Sequence, residues 1–215
     1  MSSTTTAGAG AGAAPIRVVI AEDQDLVRAA LTALLNLQAG VEVIGGVGRG
    51  DEVLAAVRDL RPDVLLLDIE MPGMNGLDAA AAVRAEAPGT RVLIVTTFGR
   101  PGYVKRAIAA GASGFVVKDT PPEQLSDAIR RVHAGLRVID PTLAADSLMA
   151  PDNPLSEREV EVCRAAADGS GPAAIAAALH LSDGTVRNHL SSAIRKTGAS
   201  NRYEAVRIAT DNGWL

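Results

Sequence analysis

The chain has 215 residues, 47% of them hydrophobic, enough for one large domain or two small ones with a sizeable core. A net charge of -4 argues against a basic coat for nucleic acid. One cysteine, Cys163, excludes an internal disulfide, and with three scattered histidines it argues against a zinc site.

The first residues, MSSTTTAGAGAGAAP, have neither the positive start nor the apolar run of a secretory signal. Residues 1–15 read as a flexible tail, and with no membrane-inserting segment the expected location is the cytoplasm.

From Ile16 onward short apolar runs alternate with helical spacing. IRVVIA is a strand, and DLVRAALTALLNL a helix with Leu26, Ala30, Leu34 and Leu37 on one face, Asp25 being its expected cap. VEVIGG and DEVLAAVRDL repeat the pair. VLLLD is followed by NGLDAAAAVRAEA, which Pro88 ends. RVLIVTT precedes GYVKRAIAA, which Gly111 stops. GFVVK precedes PPEQLSDAIRRVHA, with Pro121 and Pro122 at its start. Five such alternations predict a doubly wound α/β domain over residues 16–134, its parallel sheet covered on both faces.

Residues 135–154 carry three prolines and little periodicity, and read as a linker. Four helical segments follow, so residues 155–215 form a small all-α domain, with Cys163 in its core beside Val160 and Ala167.

In an open parallel sheet, ligands bind beyond the carboxyl ends of the strands. Glu22 and Asp23 follow the first strand, Asp68 ends the third, Thr96 and Thr97 the fourth, and Lys118 the fifth. Clustered carboxylates repel unless a cation neutralises them, and a hard divalent ion such as Mg²⁺ takes such oxygen ligands. Asp23 and Asp68 fit as side-chain ligands, with the Glu70 backbone carbonyl as a third. Asp68 can then attack phosphorus, while Thr96 and Lys118 hold the phosphoryl oxygens. Taken singly, each is better read as a helix cap or a solvated group. Four strands delivering complementary groups to one edge is what favours chemistry. No Gly-rich phosphate loop, HExxH pair or nucleophile-elbow serine is present.

The stretches AEDQ, LLLDIEMPGMNGL, VTTF and GASGFVVKD resemble the motifs of bacterial response-regulator receiver domains, from about Ile16 to His133. The resemblance implies a flavodoxin-like (βα)5 fold with Asp68 as phosphoacceptor, Glu22 and Asp23 as the acidic metal pair, Thr96 as switch hydroxyl and Phe115 as aromatic switch, beside Lys118. Asp119 stands where the family often has proline, so no cis-proline bond is expected there. Phe98, two residues after Thr96, is expected to shield the phosphoryl group from water.

HLSDGTVRNHLSSAIRKTGA has the short turn of a helix-turn-helix, with Ser182 or Asp183 capping the second helix. From Leu155 on, seven basic residues balance seven acidic ones. From Thr185 to Arg207, however, Arg187, Arg195, Lys196, Arg202 and Arg207 face a single acid, Glu204. Such a local stripe is the footprint of phosphate contact. The segment resembles the LuxR-type DNA-binding domain. That implies Arg187, Asn188 and Ser191 at base edges and Thr185, Arg195 and Lys196 on the DNA backbone. His189 either touches phosphate or packs. SGPAAIA departs from the family's polar start, but Pro172 suits a first helical turn.

The combination resembles the NarL/FixJ subfamily of two-component response regulators. It implies a DNA-binding transcription factor, not an enzyme, whose Asp68 is phosphorylated with Mg²⁺ by a sensor histidine kinase, followed by homodimerisation and binding to double-stranded promoter DNA. LTALLNLQAG, TTFGRPGYVKRAIAAG and KDTPPEQLSDAI look most like regulators of fatty-acid desaturase genes. Two other readings stay open, a phosphorylation-independent DNA-binding regulator and an aspartyl-nucleophile phosphohydrolase. The second usually needs an aspartate where Glu70 stands.

Overall fold

The computed structural model describes residues 14–97, 101–140, 143–145 and 151–215. Phe98 and most of the expected tail lie outside these.

The strands are β1 (Ile16–Ala21), β2 (Val41–Val47), β3 (Val64–Leu67), β4 (Arg91–Thr96), β5 (Gly114–Val117) and β6 (Val138–Ile139). Between them lie α1 (Asp25–Asn36), α2 (Val53–Leu60), α3 (Gly76–Glu86), α4 (Pro101–Ala109) and α5 (Pro122–His133). All pairings are parallel, in the order β2-β1-β3-β4-β5-β6. The sixth strand falls in the segment expected to be a linker, with at most one short helix in it. It is two residues long, too short for any periodic signal, and pairs Gly114 with Val138.

Alternate side chains along each strand face opposite layers. Val19, Ala21, Leu65, Leu67, Ile94 and Phe115 pack under α2, α3 and α4. Val18, Ile20, Leu66, Leu93, Val95 and Val116 pack under α1 and α5. Full burial of each such valine, leucine, isoleucine or phenylalanine side chain contributes about 1.5–3 kcal/mol relative to exposure.

Two expectations for α1 change. The stripe of Leu26 and Leu37 is the solvent face, 83% and 80% exposed, while Leu35 is fully buried with Leu31 beside it. Two overlapping apolar stripes occur in this helix, and spacing cannot say which one meets the sheet. Asp25 is the first helical residue rather than the cap, which is Gln24, and it pairs with Arg28.

The second domain contains α6 (Glu157–Ala166), α7 (Pro172–Leu179), α8 (Asp183–Thr197) and α9 (Arg202–Asp211). Ser182 caps α8 by accepting from Thr185 N, and Gly198 ends it in the left-handed conformation that glycine adopts without steric cost. Val162, Ile175, Val186 and Leu190 form one core cluster, and Leu155, Cys163, Ala193 and Trp214 another. Burial pushes the Cys163 thiol up to about 11, with the Glu159 charge adding, so it behaves as an inert apolar group.

Helix α4 meets the second domain. Tyr103, Val104 and Ala107 enter the sheet-side core. On the other face, a Cβ on Gly102 would lie 1.5 Å from the Asn212 carbonyl oxygen, so backbone touches backbone. Arg106 donates to the carbonyl of Gly213 at 2.7 Å and to that of Leu215. Lys105 pairs with Asp152 at 3.2 Å.

Candidate functional site

The acidic site is built by sheet register. Asp68 N donates to the Ala21 carbonyl at 2.9 Å, carrying the ladder one residue past β3 and setting Asp68 beside Glu22. Glu22 N donates to the Val47 carbonyl at 3.0 Å. Glu22 and Asp68 are buried and Asp23 is exposed, and one carboxylate oxygen from each lies within 4.8 Å of the others. Lys118 leaves β5 with its N–H donating to the Thr96 carbonyl at 2.8 Å. Its Nζ sits 2.6 Å from Glu22 Oε2 and 2.9 Å from Asp68 Oδ2. The other Asp68 oxygen accepts from Ile69 N at 2.7 Å.

Burial pushes the Glu22 carboxyl up, and the Asp68 charge adds to this, against the Lys118 hydrogen bond. Burial works to lower the Lys118 ammonium, but its bonds to Glu22 and Asp68 outweigh that and hold it above its usual range. Three carboxylates with one ammonium between two of them leave net negative charge. An all-oxygen donor set of this kind suits a hard divalent cation.

The loop after Asp68 is fixed by close approach. A Cβ on Gly76 would lie 1.9 Å from the Asp68 carbonyl oxygen, and Gly76 N donates to the Ile69 carbonyl at 2.9 Å. Gly73, with φ +82°, makes the turn after Pro72. Glu70 has an exposed side chain. Thr96 is 4% exposed at the end of β4, in register with Val117. Phe115 is 1% exposed, in the same cluster as Tyr103 and Val104 of α4. Sequence reasoning missed Arg28, which reaches back from α1 to donate to the Glu22 carbonyl at 2.5 Å. Its place one turn into the helix after the acidic pair was the available signal.

On α8, Arg187, Asn188, Ser191, Arg195 and Lys196 are exposed, while Thr185 and His189 are half-buried. Arg187 pairs with Asp183 at 2.8 Å, Thr185 bonds Ser182, and Arg195 donates to Ser192 at 3.1 Å. Lys196 turns to Glu159 of α6 at 2.7 Å. Beyond α8, Arg202 donates to the Ser170 and Gly169 carbonyls, and Arg207 pairs with Glu204 and Asp211. The basic stripe therefore narrows to α8 itself.

Among the described residues, no helix is long and apolar enough to cross a membrane. Residues 18–130 match the response regulator receiver domain family, and residues 153–209 match the bacterial regulatory proteins of the luxR family. The chain is 45% identical over 200 residues to the Bacillus subtilis transcriptional regulatory protein YvfU, covering 93% of this chain and 100% of the relative. It is 43% identical over 200 residues to the transcriptional regulatory protein DesR of the same organism, covering 93% and 99%. The solved structure of the response regulator ChrA from a heme-sensing two-component system superposes with a TM-score of 0.56 at 31% identity, over 94% of this chain and 100% of that one.

Proposed function

The chain belongs to the two-component response regulators that join a receiver domain to a LuxR-family DNA-binding domain, and from that premise we propose that phosphorylation of Asp68 controls its binding to promoter DNA. The observation carrying this is the convergence of Glu22, Asp23 and Asp68 within 4.8 Å, with Lys118 bridging two of them.

A sensor histidine kinase is the phosphoryl source. An Asp68 carboxylate oxygen forms the new P–O bond as the P–N bond of the kinase phosphohistidine breaks, and the departing imidazole takes a proton from solvent. Lys118 and Thr96 hold the phosphoryl oxygens as charge develops. Glu22, Asp23, Asp68 and the Glu70 carbonyl would hold Mg²⁺, whose chemistry is to neutralise charge among carboxylate and phosphate oxygens. The phosphoryl group adds about -1.5 to -2 charge, and Thr96, Phe115 and α4 are the elements it biases.

We assign residues 16–134 together with the edge strand β6 to the receiver, the rest of 135–154 to the linker and 155–215 to the DNA-binding domain, in a cytoplasmic protein. The exposed α1 stripe, with the Arg130 bond from α5 to the Ala39 carbonyl just past α1 at 2.9 Å, supports the first and fifth helices as the homodimer face. A two-fold dimer sets two α8 helices on paired half-sites. Arg187, Asn188 and Ser191 read bases, while Thr185 and Arg195 hold phosphates.

Incubation with acetyl phosphate and Mg²⁺, followed by intact mass and DNA-binding measurements on wild type and Asp68→Ala, tests this reading. A phosphoryl mass gain confined to wild type, with tighter DNA binding, is expected. No mass gain in wild type refutes it. Unchanged DNA binding favours a receiver that is only a dimer scaffold, and rapid multiple turnover favours a phosphohydrolase.

A further inference from the structure

The most tightly held carboxylate of the second domain lies away from the Asp68 site. Glu159 is the third residue of α6 and 5% exposed. Its Oε2 accepts from Ser156 N at 2.7 Å, and the Ser156 hydroxyl accepts from Glu159 N at 3.3 Å, so the pair closes the first turn of α6. The same Oε2 accepts from Lys196 Nζ at 2.7 Å. Lys196 stands in the last turn of α8, so one acid of α6 both closes its own helix and holds the end of α8.

Helical geometry separates this grip from the proposed reading face. Lys196 lies nine residues after Arg187. At about 3.6 residues per turn that is about two and a half turns, which places the two on opposite sides of α8. A lysine directed at Glu159 from that side is poorly placed to share a groove with Arg187, although charge pattern alone groups them.

We propose that Glu159 and Lys196 form a brace that sets the angle of α8 on α6, making Lys196 a positioning residue for DNA reading and not a phosphate contact. This rests on α8 being the DNA-reading helix.

The two roles separate in a salt series. Removing a phosphate contact lowers the slope of log affinity against log salt by about 0.9, whereas misplacing a helix weakens binding without removing a counterion-releasing charge from the interface. The experiment uses the full chain with acetyl phosphate and Mg²⁺, and a fluorescein-labelled duplex that wild type enriches from a random-sequence pool. Fluorescence anisotropy is followed for wild type, Lys196→Met, Glu159→Gln and the double variant. Each single variant is expected to bind about tenfold more weakly, as for one lost base contact. The salt slope is expected to stay at the wild-type value, and the double variant to lose no more than the worse single one.

The double variant removes both charges together, leaves no lone buried carboxylate, and so guards against loss of fold. A slope lowered by about one in Lys196→Met, with Glu159→Gln binding like wild type, overturns the brace while leaving the DNA reading intact. Failure of wild type to enrich any duplex overturns the DNA reading, and the brace with it.

Discussion

Lowering the pH through the acid range should remove the Glu159 contribution to stability, and its size follows from the site. Burial alone would raise this carboxyl. Hydrogen bonds from Lys196, the Ser156 backbone and Ser192 outweigh it and hold the group at about 2, against an ordinary 4.5. The unfolded chain therefore binds this proton more readily than the folded one, and protonation favours unfolding. The stabilisation is complete above about pH 4.5 and fades as the pH falls toward about 2. At about 1.4 kcal/mol per pH unit the limit is about 3 kcal/mol, and screening at the one-third-exposed Lys196 end brings the expected value nearer about 2 kcal/mol. Trp214, the sole tryptophan, lies in the core cluster with Cys163 and Ala193, so its fluorescence reports unfolding of this domain. Urea titrations of wild type and Glu159→Gln should differ by about 2 kcal/mol at neutral pH, with the difference shrinking below about pH 4.5 and closing toward about pH 2. Other carboxylates are common to both and cancel. A difference that stays constant across this range would refute the reasoning, as would equal stability at neutral pH.

Lys118→Met should still take up a phosphoryl group from acetyl phosphate, but about 10²-fold more slowly, as read by intact mass over time; an unaltered rate would remove Lys118 from the chemistry. Gly76→Ala sets a methyl group against the Asp68 carbonyl, so we expect a loss of about 1–3 kcal/mol in receiver stability together with slower phosphorylation, measured by denaturation and mass. Arg106→Ala removes both bonds to the Gly213 and Leu215 carbonyls, and subtilisin should then cut residues 135–154 severalfold faster than in wild type.

Much of this was legible in the residues because local patterns and global fold agree. VLLL is buried throughout, and its polar successor had to emerge at the sheet edge, which is where Asp68 stands. The spacing of Asp23, Asp68 and Lys118 gave company to groups that are ambiguous alone. What escaped has physical reasons. Leu26 and Leu37 share a helical period with Leu31 and Leu35, and period does not tell which stripe a sheet covers. Lys196 looked like one more cation in a basic run, because its acid lies 37 residues away along the chain. The Ser156–Glu159 spacing was a readable capping box, but nothing local reveals that its carboxylate also serves another helix. The contact of α4 with the second domain was invisible for a related reason, since glycines advertise no partner.

That last contact has a consequence for building hybrids. A Cβ on Gly102 would collide with the Asn212 carbonyl, and one on Gly213 would press on the Gly102 carbonyl carbon and the Tyr103 nitrogen. The joint is thus written largely in main chain, with Arg106 and Lys105 as the side chains that add bonds across it. A receiver grafted onto a foreign DNA-binding domain through the linker alone would meet a Cβ at this seam unless the recipient also carried glycine there. The unit of exchange is consequently larger than either domain: Gly102 and Gly213 have to travel together, though more than a hundred residues separate them in the chain.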